Sequence, residues 1–150
     1  MREFQPWITS VLLCLLFVSA AVAQDQSFRL DRGINFISTD ISAVQDPNTR
    51  HILVVFNELN VNNNSYGRIH AVLLKYKGNG EYKRKKVRTL SPAGSWAGRP
   101  HAVYLTGMKR FLVVWDTADP TTFGQASKIV GQLLKKNGKS KGGNFDIVND

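Results

Sequence analysis

Cysteine and histidine are scarce in this sequence, and their scarcity restricts the chemistry that the chain can perform. One cysteine and three histidines occur among 150 residues. Cys14 lies in an apolar N-terminal stretch, so the rest of the chain has no thiol nucleophile and no cysteine for a disulfide. His51, His70 and His101 are far apart and do not follow the spacing of zinc ligands. We therefore predict no metal centre.

Recognisable catalytic motifs are missing as well. The chain contains no Gly-x-Ser-x-Gly elbow, no phosphate-binding loop and no Asp-x-Asp-x-Asp-Gly calcium loop. These absences favour a protein that is not an enzyme and needs no cofactor. A fragment of a secreted hydrolase is only a remote alternative, because nothing in the sequence supplies its acid, base or nucleophile.

Long apolar runs are limited to one segment near the N-terminus. Residues 8–18 are almost entirely apolar, which is shorter than the roughly 18 residues of a membrane-spanning helix. Arg2 precedes this run, and Ala21-Val22-Ala23 follows it as a small-x-small cleavage site. Residues 1–23 are therefore predicted to be a signal peptide, and the protein is expected to be secreted or periplasmic/extracellular.

Acidic residues are few in comparison with basic ones. The chain has 11 Asp and Glu against 20 Lys and Arg, a formal net charge of +9. This balance favours anionic partners such as acidic glycans, lipid headgroups or lipopolysaccharide. Nucleic acid is not expected as a partner, because the N-terminal segment predicts export.

One apolar run occurs twice and organises the chain. Residues 50–57 (RHILVVFN) return as residues 109–116 (KRFLVVWD), and Ala-Val precedes both runs at the same distance. From His51 to Arg110 the offset is 59 residues, and it is the same throughout the run. The chain is therefore divided into a signal peptide (1–23), a leading segment of one or two strands (24–39), a first repeat (40–97) and a second repeat (98–150).

Each repeat is expected to form four short antiparallel strands. The second strand of each (51–56 and 110–115) is apolar without alternation, which is typical of a strand covered on both faces. The Asn-Gly pairs at 79–80 and 137–138 predict tight hairpin turns. Residues 85–90 are expected to be a charged fourth strand, and residues 91–100 an irregular connection.

Residues 128–136 leave a second interpretation open. Ile129, Val130, Leu133 and Leu134 recur at helical spacing, with Ser127 as an N-cap. The equivalent residues of the first repeat alternate as in a strand, and the following Asn-Gly turn suits a hairpin. We favour a strand and keep a helix as the alternative.

The second repeat contains FLVVWD at 111–116, IVGQLL at 129–134, Asn-Gly at 137–138, Gly-Gly at 142–143 and FDI at 145–147. This pattern resembles the β-propeller repeats of bacterial secreted and cell-surface proteins. The first repeat is a degenerate copy, with Ala71-Val72 in place of Gly-Gln. The resemblance implies an all-β fold of two four-stranded, blade-like repeats, and it implies no particular activity.

Two blades do not close a propeller ring, which has about four to eight. Three arrangements stay open. The chain is part of a larger propeller, or it forms a homo-oligomer in which several chains close a ring, or its two repeats pack face to face as a small β-sandwich.

Asp116 and Asp119 follow the second strand of the second repeat, and Asn and Glu side chains occupy the matching place in the first. With Trp96 as an exposed aromatic platform, they form a candidate ligand site for sugar hydroxyls. Turn formation alone also explains Asp and Asn at such positions, and we favour it over metal binding.

The densest basic run is a candidate anion-binding patch, whose binding would weaken with salt. It consists of Lys83, Arg84, Lys85 and Lys86. The alternative, which we favour, is that lysines on an outer strand discourage pairing with other sheets.

The sequence as a whole predicts an exported, non-enzymatic, β-propeller-like binding or scaffold module of unspecified ligand. The alternative function is that of a lectin-like carbohydrate-binding protein whose sites form on oligomerisation. The partners considered are glycans, anionic cell-surface polymers and further copies of the chain.

Overall fold

The structure, a computed structural model, describes residues 36–60, 65–92, 96–118 and 128–149. Every regular element in these ranges is a β-strand, so the all-β prediction is confirmed. Within the same ranges, no helix is long and apolar enough to cross a membrane. The predicted signal peptide, most of the leading segment and Asp119 lie outside the described residues.

Sheet A is built from the first repeat. Its strands pair antiparallel in chain order, and its fourth strand is interrupted, so that two short pieces follow one another along β3. Asn79 and Gly80 have φ angles of 52° and 81°, as a tight turn between the third and fourth strands requires. The strands are β1 (Phe36–Gln45), β2 (Ile52–Asn60), β3 (Ser65–Gly78), β4 (Glu81–Arg84) and β5 (Arg88–Thr89).

Sheet B is built from the second repeat together with Trp96 and Ala97, and its strands follow the same order as those of sheet A. Its four strands also pair antiparallel in chain order. The predicted pair of four-stranded, blade-like repeats is thus present in the structure. The strands are β6 (Trp96–Leu105), β7 (Arg110–Ala118), β8 (Lys128–Lys135) and β9 (Phe145–Asn149).

The helical alternative for residues 128–136 is wrong. β8 pairs with β7 along its whole length, from Lys128 opposite Thr117 to Lys135 opposite Arg110. Val130 is buried against sheet A, whereas its neighbour Ile129 lies on the opposite face and is 40% exposed. Sheet A covers only one face of β8, which suits the alternating side chains of a strand. Tertiary packing therefore overrides the helical spacing of the apolar residues.

Two other predicted boundaries are also wrong. Residues 96–100 are not part of an irregular connection, because Trp96 and Ala97 already pair with Ala118 and Thr117. The small residue Ala97 is buried in the core between the sheets rather than exposed in a loop. Of the predicted fourth strand 85–90, only β5 pairs as a strand, because the chain leaves the ladder after β4.

The repeat seen in the sequence is also present in the backbone. The β1–β2 ladder shifts register between Thr39 and Ser42, and the β6–β7 ladder shifts between Gly98 and His101, the equivalent positions. Each shift marks a bulge, which re-aims the side chains beside it. The non-glycine residues with positive φ recur at the same offset: Asp40 (44°) with Arg99 (46°), and Arg50 (59°) with Lys109 (50°).

The two sheets stack on one shared hydrophobic core, and opposite faces of the repeats meet in it. Val55 of β2 enters the core from sheet A, and Trp115 of β7 enters it from sheet B. Trp115 is equivalent to Phe56, which lies in a separate cluster on the other face of sheet A. The repeats therefore stack front to back, and this arrangement of two sheets is consistent with both an incomplete propeller and a small β-sandwich. We call the two faces in contact the inner faces.

The cover of the apolar second strand differs between the sheets. In β2, residues 53–56 are at most 8% exposed on either face, as predicted. In β7, Phe111, Val113 and Trp115 are buried, but Leu112 and Val114 are only half-buried. The outer face of sheet B therefore presents apolar side chains to solvent. Those exposed by 40–48% are Val103, Ile129, Phe145, Ile147 and Val148.

The turn between β1 and β2 is held by Asp46, which is almost fully buried. Its carboxylate accepts hydrogen bonds from the Asn48 backbone N–H (2.9 Å) and the Thr49 hydroxyl (2.7 Å). Burial acts to raise the pKa of Asp46, but these bonds and one from the Tyr104 hydroxyl hold it below its usual value. Because Tyr104 belongs to β6, the turn also ties sheet A to sheet B.

Candidate functional site

Trp96 and Asp116 lie side by side on the outer face of sheet B, although they are 20 positions apart in the sequence. Asp116 pairs across the ladder with Gly98. A Cβ atom at position 98 would lie 2.9 Å from the Trp96 ring and 3.4 Å from Asp116 Oδ1. Glycine at this position therefore makes room for the indole and the carboxylate next to each other. The structure thus brings together two of the three predicted ligand residues.

Arg99 binds the carboxylate of Asp116. Its Nε donates a hydrogen bond of 2.7 Å to Asp116 Oδ2, and a terminal guanidinium nitrogen donates to the same oxygen. The hydrogen bond to Asp116, reinforced by the attraction of the two charges, raises the pKa of Arg99. The carboxylate is 8% exposed, whereas the guanidinium side chain is 67% exposed. The buried anion is thus fixed by a cation that still faces solvent.

A cavity of about 400 Å³ opens on this face beside the ion pair. A volume of this size is within the usual range of small-molecule sites. Its lining combines polar groups near the Arg99–Asp116 pair with aliphatic side chains from β7, β8 and β9. The lining residues are Arg99, His101, Val114, Trp115, Asp116, Lys128, Ile129 and Val148.

One oxygen of Asp116 is left without a hydrogen bond. Oδ2 carries both bonds from Arg99, whereas the shielded Oδ1 has no donor among the described residues. Buried polar atoms are nearly always paired in folded proteins, because an unpaired one loses its bonds to water without replacement. The carboxylate therefore retains hydrogen-bonding capacity beside the cavity.

The charged groups around the cavity are balanced. Arg99 is paired with Asp116, and Lys128 Nζ lies 3.2 Å from Asp146 Oδ1. Each cation at the cavity therefore has a carboxylate partner, and no excess of positive charge attracts an anion. The arrangement suits a neutral ligand that offers hydroxyl groups to the polar end and an apolar surface to the aliphatic side chains.

The predicted anion patch is divided by the break in the fourth strand of sheet A. Lys83 and Arg84 lie on β4 and are exposed. Lys85 and Lys86 lie in the break between β4 and β5, and they line a separate cleft between the two sheets. The four residues therefore do not form one surface.

Three residues of the cavity are not identified by the sequence patterns. Arg99 follows a stretch of small residues. Its one distinguishing feature is its place in the β6–β7 bulge, directly after Gly98. His101 and Lys128 lie directly before the repeated motifs Ala102-Val103 and IVGQLL, and are not part of them. Among the described residues, no group of three or more His, Cys, Asp or Glu side chains is placed to hold a metal ion.

Comparisons with protein-family models, with curated proteins and with solved structures find no match to this chain.

Proposed function

We propose that this chain is an exported, non-enzymatic, β-propeller-like module that binds a neutral carbohydrate in the cavity on the outer face of sheet B. Export rests on the signal-like residues 1–23. The observation that carries the ligand class is the buried Asp116 carboxylate, bound by Arg99 on one oxygen and unpaired on the other. No residue is assigned a catalytic role.

The chemistry of a sugar matches this cavity at both ends. A sugar hydroxyl both donates and accepts, so it accepts from the exposed guanidinium of Arg99, and it supplies the donor that Asp116 lacks once a side-chain movement uncovers the shielded Oδ1. Sugar rings also present C–H faces, which pack on aromatic and aliphatic side chains. Trp96, half-buried beside Asp116, and Ile129 in the lining offer such surfaces. Paired charges leave no net attraction for an anionic ligand.

A glycan array probed at low and high salt tests this proposal. We expect binding to neutral glycans that persists at high salt, because it does not depend on unpaired charge. Trp96→Ala and Asp116→Ala should each weaken binding by about tenfold or more. Glu81→Ala is the matched control, because it removes an exposed carboxylate on β4, far from the cavity.

Circular dichroism of each variant shows whether the fold survives. Loss of the glycan signal at high salt would argue for charge alone. Binding that is unchanged in both cavity variants would exclude the site.

A second candidate is that the carbohydrate site is completed by another copy of the chain. The outer face of sheet B exposes five apolar side chains, two of which, Ile129 and Val148, line the cavity. The opposite end of the stack is closed, since Val54, Phe56 and Val72 of sheet A are buried. A head-to-tail ring needs two open faces, whereas a two-fold dimer needs one that pairs with itself. The described residues therefore favour a dimer through sheet B.

Native mass spectrometry distinguishes these assemblies. We expect dimers at micromolar concentration, and we expect Ile147→Lys to convert them to monomers because it places a charge in the apolar interface. Met108→Lys is the control, since Met108 is 56% exposed but lies in the β6–β7 turn. A monomeric parent chain would contradict this candidate, and a trimer would support a closed ring instead.

A further inference from the structure

A second cavity, of about 300 Å³, lies between the two sheets at the side of their fourth strands. Its floor is apolar and belongs to sheet A, and its rim carries basic side chains from both repeats. We call it the basic cleft. Its lining residues are Leu53, Ala71, Leu73, Lys85, Lys86, Arg88, Asn137, Gly138 and Lys139.

The cleft exists because both repeats contribute to it. The turn after β8 lies against sheet A, so closely that a Cβ atom on Gly138 would be 3.3 Å from Leu73 Cβ. This contact places Lys139 opposite the basic residues of sheet A. On the other side, the chain leaves the ladder between β4 and β5, which directs residues 85–86 to the cleft.

Four cations surround this space without a carboxylate. Lys85, Lys86, Arg88 and Lys139 line the cleft, and no Asp or Glu is in its lining. None of the four forms an ion pair with a carboxylate among the described residues. Like charges gathered around one cavity repel one another, and an anion in the cavity relieves that repulsion. The basic cleft therefore has an excess of positive charge, whereas the charges around the cavity on sheet B are balanced.

Basic residues on an outer strand can prevent that strand from pairing with another sheet, but this role does not explain the four cations of the basic cleft. That role requires basic side chains along a paired outer strand, as at Lys83 on β4. Lys85 still donates its backbone N–H to Leu73 O of β3 (2.9 Å), but Lys86 lies where strand pairing is interrupted, and Lys139 belongs to the other sheet. These side chains are exposed, but they line one open cleft between the sheets instead of following an edge.

We propose that the basic cleft binds a sulfate or phosphate ester carried by a sugar. Several cations that line one cleft favour a tetrahedral oxyanion with three free oxygens over a single carboxylate. Asn137 adds an amide, whose Oδ1 accepts the Lys139 backbone N–H at 3.1 Å while its NH₂ group is a donor for the ligand. Leu53, Ala71 and Leu73 close the bottom of the cleft and are at most 4% exposed, so the ester oxygens at the basic rim carry the binding.

Titration of the full chain with glucose 6-sulfate, glucose 6-phosphate and glucose tests the proposal. We expect both esters to bind and glucose to bind at least about tenfold more weakly to the cleft. Amide NMR signals of Gly138 and Lys139 should shift with the esters, which locates the binding. Asp116→Ala should leave these shifts unchanged, so failure of this site and of the carbohydrate site on sheet B are separable.

A matched pair of double variants controls for net charge. Lys86→Gln with Lys139→Gln should weaken ester binding by about tenfold or more, because two charge-assisted hydrogen bonds are lost. Lys75→Gln with Lys77→Gln removes the same charge from exposed positions on β3 and should change affinity by less than about twofold. An equal loss of ester affinity in the two double variants would mean that only the net charge of the protein matters, and would overturn the site.

Two further probes decide the ligand class. Glucuronate that binds as tightly as the esters would overturn the preference for a tetrahedral oxyanion. Phosphatidylcholine vesicles containing phosphatidylglycerol, compared with phosphatidylcholine alone, test a lipid phosphate as the source. Binding to the anionic vesicles without binding to the sugar esters would also overturn the proposal.

Discussion

Replacing Trp115 by alanine is expected to lower the free energy of unfolding by about 3–5 kcal/mol, the usual cost of removing a large buried aromatic side chain. Trp115 is 1% exposed and is among the largest side chains that the structure buries completely. It belongs to the core cluster to which both sheets contribute. Its loss leaves a cavity at the junction of the sheets, which neither sheet can close alone without shifting relative to the other.

Urea denaturation followed by circular dichroism measures this effect, and the thermal midpoint should fall by more than about 10 °C. Met108→Ala is the control, because Met108 is apolar but 56% exposed. Its expected change is within about 0.5 kcal/mol. A Trp115→Ala protein as stable as the parent would mean that the two sheets do not share the core described here.

Replacing Gly67 by alanine is expected to cost about 1–3 kcal/mol, because the site has no room for a methyl group. A Cβ atom at this position would lie 2.4 Å from Asn57 Oδ1 and 2.8 Å from the backbone oxygen of Ala97. Ala97 is on β6, so the added atom would push against the backbone of the other sheet. Backbone cannot rotate away as a side-chain end can, and the strain must be taken up by the stacking of the sheets.

Two other glycines provide the comparison for this substitution. Gly107→Ala should be nearly neutral, since nothing lies within 4 Å of its added Cβ. Gly131→Ala meets the Phe145 ring at 2.7 Å, but that ring is 42% exposed and can turn aside, so a smaller loss is expected than at Gly67. Denaturant midpoints of the three variants give the order. A Gly67→Ala midpoint equal to that of Gly107→Ala would show that the sheets are less closely stacked than described.

The repeat and its strands were accessible from the sequence, because they depend on local features. The doubled LVV run, the Asn-Gly turns and the two-residue alternation report the period and the turns directly. The bulge at residues 98–101 was not accessible, since it is a feature of how β6 pairs with β7. For the same reason, the small residues around Ala97 resembled a loop, although their size is required by the close approach of the sheets.

The candidate sites were predicted only in part, because each depends on residues that are distant in the sequence. Trp96 and Asp116 were both identified, but their proximity across Gly98 follows from strand register. Arg99 gave no signal of its own, since its role arises from the bulge. In the basic run, sequence adjacency grouped Lys83 with Lys86, whereas the interruption of the strand separates them and joins Lys86 to Lys139 instead.

The strand order has a consequence for how the chain acquires its structure. Apart from β5, which pairs with β3, the strands of each sheet pair in chain order, and all strands of sheet A precede those of sheet B. A chain that emerges N-terminus first can complete the hydrogen-bond ladder of sheet A before residue 96 is available. The inner face of that ladder, including Leu53 and Val55, then stays exposed to water until the strands of sheet B arrive, beginning with β6. Backbone pairing is thus gained one sheet at a time, whereas burial of the inner faces is gained only by both together, and this shared burial couples the folding of the two repeats.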